Sequence, residues 1–128
     1  MSNELWRKSA LELAEGIRSK KFSSREVIDA HLARIDVVNP KVNALIHVMA
    51  DEARAGADAA DTALAQGGPI GPLHGVPYTV KINIDVAGQA TTQGITALAE
   101  AIPAIDAPTI ERMRASGAIM LGRTNMPD

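Results

Sequence analysis

The sequence predicts an α/β fold in which helices occupy residues 1–66 and a Gly/Pro-rich loop then leads into strands of a sheet over 67–128. Three observations carry this reading. Apolar residues recur at helical spacing in the first half; from Val76 to Asp85 they alternate strictly with polar ones; and Ala118 to Gly122 is an apolar run reached from that strand through a further helical segment. A strand, a crossover containing a helix and a second strand imply a parallel pair in a covered sheet.

Trp6, Ala10, Leu13 and Ile17 fall on one stripe and predict a first helix from Glu4 to Arg18. The run Phe22-Ser23-Ser24-Arg25-Glu26-Val27 then places a serine at the N-cap, Glu26 at N3 and a staple between Phe22 and Val27, so local chemistry alone predicts a second helix start. This helix turns Val27, Ile28, Leu32 and Ile35 inward and is expected to end near Asn39-Pro40, because the residue before proline avoids the α region. Val42 to Val48 reads as a short strand or an extended link. The Ala-rich stretch Asp51 to Gln66, with acids in its first turn and Gly67-Gly68 behind it, predicts a third helix. Gly67 to Gly75 holds too many glycines and prolines for regular structure and must be a loop. In the strand that follows, Val76, Tyr78, Val80, Ile82 and Ile84 take one face and Pro77, Thr79, Lys81, Asn83 and Asp85 the other, with Lys81 in mid-strand. Asp106-Ala107-Pro108 opens the last helix, with Pro108 in its first turn and Gly117 as its stop, and Ala118 to Gly122 follows as a buried strand.

With 128 residues, 46% of them hydrophobic and 22% charged, the chain has the length of one domain and the balance of a folded one. A formal charge of −2 and the lack of a dense basic run argue against direct binding of nucleic acid. The absence of cysteine removes thiol catalysis, Zn–thiolate sites and disulfides, and suits a reducing compartment. No stretch approaches the roughly 18 apolar residues of a membrane span, and the N-terminus lacks the apolar core of a secretion signal, so the expected location is cytoplasmic and off the membrane. Trp6, Phe22 and Tyr78 are the only aromatic residues, which suits one slice of a larger core. The sequence ends directly after the second predicted strand, so the sheet is expected to be unfinished.

Few residues offer chemistry. His31, His47 and His74 lie far from one another and lack metal-ligand spacing, so no metal is expected; His31 reads as a helix residue and His74 as a partner for loop backbone. The Gly-rich loop precedes a strand and lacks a G-K-[ST] ending, which excludes a P-loop. Ser23 and Ser24 are accounted for by capping, and Ser2, Ser9, Ser19 and Ser116 have no glycine-flanked elbow. Lys81 stands apart. It is either a lysine on the solvated face of a half-exposed strand, or one member of a polar interior with Thr79 and Asn83, where burial would disfavour the ammonium and free an amine to accept a proton. The pattern alone does not choose.

The run Gly71-Pro72-Leu73-His74-Gly75-Val76-Pro77-Tyr78-Thr79-Val80-Lys81-Ile82-Asn83-Ile84-Asp85, then Ala87-Gly88 and Thr91-Thr92-Gln93-Gly94, resembles the amidase signature family just upstream of its signature segment. The resemblance continues through Asp106-Ala107-Pro108 and Arg112 to Ile119 as far as Leu121-Gly122-Arg123-Thr124-Asn125-Met126-Pro127, and more loosely through Ser23 to Val27, Leu32 to Ile35 and Asn39-Pro40. It implies the N-terminal part of the amidase signature fold, with helices first and then strands of a central mixed sheet covered by helices. It also implies a hydrolase of amides with a Ser, Ser, Lys set in which Lys81 is the catalytic lysine. Many members carry Asp after that lysine; here it is Ile82, on the apolar face by alternation, where the change bears on packing more than on the amine. Both serines and the glycine-rich oxyanion loop lie, in the family, beyond a point corresponding to Asp128. The implied partners are a small-molecule amide substrate and the remainder of the amidase domain, with room for a homodimer at full length, and no cofactor is implied.

Two other functions compete with this expectation. One is a free-standing, non-catalytic module that keeps part of an amidase fold for binding or assembly. The other is a small phosphate or nucleotide binder that uses the Gly-rich loop.

Overall fold

Helix formation is interrupted where the apolar spacing predicts one continuous run. The computed structural model describes residues 2–126. A 3-10 helix over Ser2–Arg7 breaks before α1, Ala10–Arg18, which Ser9 starts anew. The Ser9 hydroxyl accepts from the Glu12 N–H (3.2 Å), and the Glu12 carboxylate accepts from the Ser9 N–H (2.9 Å). The expected helix from Glu4 to Arg18 is therefore two elements, and the S-x-x-E box at Ser9 is the signal that the stripe of apolar residues concealed. The guanidinium groups of Arg34 (4.2 Å) and Arg7 (4.8 Å) lie over the Trp6 ring, and the first of them ties this element to the next long helix.

That helix, α2, spans Ser24–Val42 and begins as expected: Ser23 caps the Glu26 N–H (3.0 Å) and Glu26 reaches back to Ser23 (3.1 Å). The two intervening donors, on Ser24 and Arg25, go to the carboxylate of Asp61 at 2.8 and 3.0 Å. All the N–H groups that the first turn cannot satisfy internally are thus bound, one pair of them by a neighbouring helix. Replacing Ser23 by alanine is expected to cost about 1 kcal/mol, and Asp61→Ala, which strips two charge-assisted bonds, about 2 kcal/mol. Urea unfolding of the variants beside the parent checks both.

The C-terminus of α2 departs from expectation. Helical structure passes through Pro40 to Val42 and stops at Asn43, whose φ of 50° is left-handed. The restriction before proline is a preference, and here Asn39 overrides it: its backbone carbonyl accepts from Asn43 (2.7 Å) while its side chain brackets Leu45 through two 2.9 Å bonds.

Strand β1, Leu45–Val48, settles the ambiguity over 42–48 in favour of a short strand, and α3, Ala50–Ala65, matches the third expected helix. Helices α2 and α3 are joined on their outer side by Asp29, which takes Arg25 (3.0 Å) and Arg54 (2.9 Å). Burial pushes the Asp29 carboxyl up, but hydrogen bonds from Arg54 and Arg25, reinforced by their charges, outweigh it and hold the pKa below its ordinary 3.8. A depressed acid pKa stabilises the fold above the unfolded value and loses that contribution as pH falls through the folded one, here below 3.8. The pairs are nearly half exposed, so the effect is small. Asp29→Asn should flatten this part of the acid unfolding curve, measured by circular dichroism.

The loop 67–75 is pinned to the helices and to the residues just before the last strand, where Leu73 donates to Ser116 (3.0 Å). The Ser24 hydroxyl donates to the Gly75 carbonyl (2.8 Å), Gly75 donates to Gly117 (2.9 Å), and the His74 imidazole Nε2 meets the Ala60 carbonyl (2.8 Å). Two expectations are corrected here. Ser24 is a fully buried tie between α2 and the loop, not a cap, and His74 bonds helix backbone, not loop backbone. Gly75 has φ of +79°, and a Cβ there would lie 2.9 Å from the Ser24 hydroxyl.

Strand β2, Pro77–Lys81, is shorter than the expected Val76 to Asp85. Burial nonetheless alternates beyond it, with Ile82 and Val86 buried and Asn83 and Asp85 exposed. Alternation recorded which side chains face the core, while strand pairing stops where the partner strand runs out. The crossover returns through α4, Pro108–Ala115, with Pro108 in its first turn, to β3, Ile119–Thr124. The sheet order is β1-β3-β2, with β2 parallel and β1 antiparallel to the central β3. Ile119 and Leu121 pack on Ile28, Leu32, Ala53 and Ala57 of α2 and α3, and Met120 packs with Val80, Val86 and Ile110 in a separate cluster. At Gly122 the neighbouring strand comes so close that a Cβ would collide with the His47 carbonyl oxygen.

Candidate active site

Lys81 is the last residue of β2, not a mid-strand residue, and its side chain is exposed in this chain. Cross-strand partners share a face, so the register of β2 on β3 places Lys81 beside Thr124 and Thr79 beside Gly122. The result is a polar, sparsely filled strip with the lysine at its end. On the opposite face Val80 is paired with Arg123.

After Lys81 the chain bends at once. Ile82 donates to the Thr124 carbonyl (2.9 Å), and Ile84 donates back to the Lys81 carbonyl (3.0 Å), closing a tight turn. Beneath that turn lies Arg123, 1% exposed. Its Nη2 donates to the Ile84 carbonyl (2.6 Å) and, more weakly, to the Lys81 carbonyl (3.5 Å), and its Nη1 donates to the Gln89 side chain (3.0 Å). Burial pushes the guanidinium pKa down, with nearby Asp85 opposing the shift. Asp85 in turn accepts from the buried Thr91 hydroxyl (2.8 Å) and, through its carbonyl, from Ala107 (3.0 Å). Asn83, read with Lys81 and Thr79 as a polar set, falls in the turn and is exposed.

A cleft of ≈ 400 Å³ opens between β1 and the 88–92 loop, with Ile82 and Arg123 in its wall and Lys81 outside it. The lysine is presented on an open sheet face. Every serine hydroxyl among the described side chains is bonded to backbone. Ser9 and Ser23 accept from N–H groups, and Ser19, Ser24 and Ser116 donate to the carbonyls of Gly16, Gly75 and Met113. Among the described residues no group of His, Asp and Glu side chains is placed to hold a metal ion, and no helix is long and apolar enough to cross a membrane.

Sequence reasoning singled out Lys81 and passed over the buried Arg123. The available signal was a charged residue continuing a buried strand, where an unpaired charge is too costly to be accidental.

A family model described as Amidase matches residues 26–128. An indoleacetamide hydrolase of Bradyrhizobium diazoefficiens is 41% identical over 124 residues, covering 97% of this chain and 24% of that protein. A glutamyl-tRNA(Gln) amidotransferase subunit of Acidothermus cellulolyticus is likewise 41% identical, over 98% of this chain and 25% of its own length. A crystal structure of a bacterial aryl acylamidase of the amidase signature enzymes superposes with a TM-score of 0.87 at 35% identity, covering 94% of this chain and 25% of that one. The chain thus spans about a quarter of the length of the curated relatives it matches.

Proposed function

The chain belongs to the amidase family, and on that premise we propose that Lys81 is the proton-transfer base of an amide hydrolase acting by acyl transfer with two serines. The observation that carries this reading is the placement of Lys81 within the matched segment: the end of a strand, the polar face of the sheet, and a backbone turn held from below. The apolar position of Ile82, 3% exposed, supports it, since the residue after the lysine serves packing and leaves the amine's face alone.

In this mechanism the Lys81 amine accepts a proton through a bridging serine as a second serine attacks the amide carbonyl carbon. The carbonyl oxygen becomes an oxyanion held by backbone N–H groups. Lys81 and the bridging serine return the proton to the leaving nitrogen, the C–N bond breaks, and water releases the acyl group as a carboxylic acid. No cofactor takes part. Both serines belong, by the family resemblance, to sequence outside residues 1–128, so this segment contributes the base and one wall of the site while the remainder of the domain contributes the nucleophile.

The substrate class is a small carboxylic amide. The test is to supply a protein of full family length carrying these residues with indole-3-acetamide, an aryl amide and glutamine, and to follow ammonia or amine release. Hydrolysis of at least one is expected; failure with the whole panel would count against the activity.

A further inference from the structure

We infer that Arg123 is a positioning residue for Lys81: from the opposite face of the sheet it fixes the turn that carries the lysine. This rests on the assignment of Lys81 above and goes beyond it. The argument begins with cost. Arg123 is a charged side chain with 1% exposure, and its Nε has no hydrogen-bond partner among the described residues. Such burial is unfavourable unless the remaining contacts repay it, and a structural role at this position could be filled by an apolar side chain at lower cost. What the guanidinium touches is specific. Two of its contacts are main-chain carbonyls, Ile84 at 2.6 Å and Lys81 at 3.5 Å, the two ends of the turn, and the third is the Gln89 side chain at 3.0 Å.

The backbone geometry transmits this hold to the lysine. Lys81 is the last residue of β2, so its ψ and the orientation of its Cα–Cβ bond are set on one side by the ladder to β3 and on the other by the turn. The ladder ends there. Beyond it, Ile82 still bonds the Thr124 carbonyl (2.9 Å) and Ile84 the Lys81 carbonyl (3.0 Å), and Arg123 supplies the donors that keep the Ile84 and Lys81 carbonyls aimed inward. Without them both carbonyls would turn towards water and the turn could open, which would displace the Lys81 amine from its serine by a fraction of an ångström or more. Proton transfer is sensitive to that displacement, whereas substrate binding by other parts of the site is not.

The test uses the full-length enzyme and three variants. Arg123→Met, which preserves bulk and removes the buried charge, should lower kcat by about 100-fold and leave KM within about threefold. Arg123→Lys, which can bond one carbonyl but cannot fork to both, should keep roughly a tenth of the parent kcat. Circular dichroism melts confirm that the assays run below unfolding. If Arg123→Met does not fold, Arg123→Lys alone decides, and parental kcat in either folded variant overturns the inference, as does a loss confined to KM. Lys81→Ala run in parallel separates the two claims. If it is inactive and the Arg123 variants are unaffected, only the positioning role fails; if it retains full activity, the assignment of Lys81 fails first.

Discussion

Replacing Lys81 by alanine in the full-length protein will lower kcat/KM for amide hydrolysis by about 10³-fold or more, with little change in thermal stability. The two halves of this result have separate causes. Lys81 sits on the polar face at the end of β2 and its side chain is exposed within this segment, so its removal leaves the Val80, Met120 and Ile110 cluster intact. What disappears is the group proposed to accept the nucleophile's proton and hand it to the leaving nitrogen, a role that Thr79 and Thr124, which share the face among the described residues, do not assume because they are not bases at neutral pH. Steady-state kinetics with the best amide of the panel, beside a thermal melt, checks both halves. A kcat/KM within threefold of the parent would contradict the mechanism, roughly 0.6 kcal/mol being too little for a proton shuttle.

The 128-residue chain by itself will hydrolyse no amide and will self-associate. Silence follows from the serines, since each described hydroxyl is already committed to backbone and Ser24, the most buried, points at Gly75. A nucleophile must lie within hydrogen-bond reach of its base and beside oxyanion donors, and no described serine does. Association follows from the sheet. With the order β1-β3-β2, β2 has an unpaired edge, and Ile95, Ile102 and Ile105 in the crossover that follows it are 52%, 60% and 78% exposed. Light scattering of the purified chain should report more than one copy. A monodisperse, cooperatively unfolding monomer would contradict the second claim, and hydrolysis abolished by Lys81→Ala would contradict the first.

How much of this was legible in the sequence depended on whether the signal was local. The Ser23–Glu26 box, the Ala-rich third helix and Pro108 in the first turn of α4 rest on neighbouring residues, the parallel pairing of β2 with β3 on the strand–helix–strand order of the segments, and all are present. The errors arose where a long-range partner decided. Strand β2 ends at Lys81 because β3 ends at Thr124, a fact absent from the alternation itself. α2 survives Pro40 because Asn39 brackets Leu45, and Ser24 serves Gly75, 51 positions away. The same holds for the site. Lys81 is singled out by its place in the family motif, the alternation alone leaving its role open, whereas Arg123 bonds Ile84 across 39 positions and has no local mark beyond its charge.

The most direct measurement is chemical rescue of the amine. Lys81→Cys in the full-length protein removes the base and leaves a thiol, within a segment that has no other cysteine, and 2-bromoethylamine then rebuilds a lysine-like side chain with a sulfur in place of one methylene. The unmodified variant should be as inactive as Lys81→Ala, and amide hydrolysis should rise by at least about tenfold as mass spectrometry shows aminoethylation at position 81. Complete modification without any gain in rate, while the identically treated parent stays active, would contradict the claim that the Lys81 amine carries the proton.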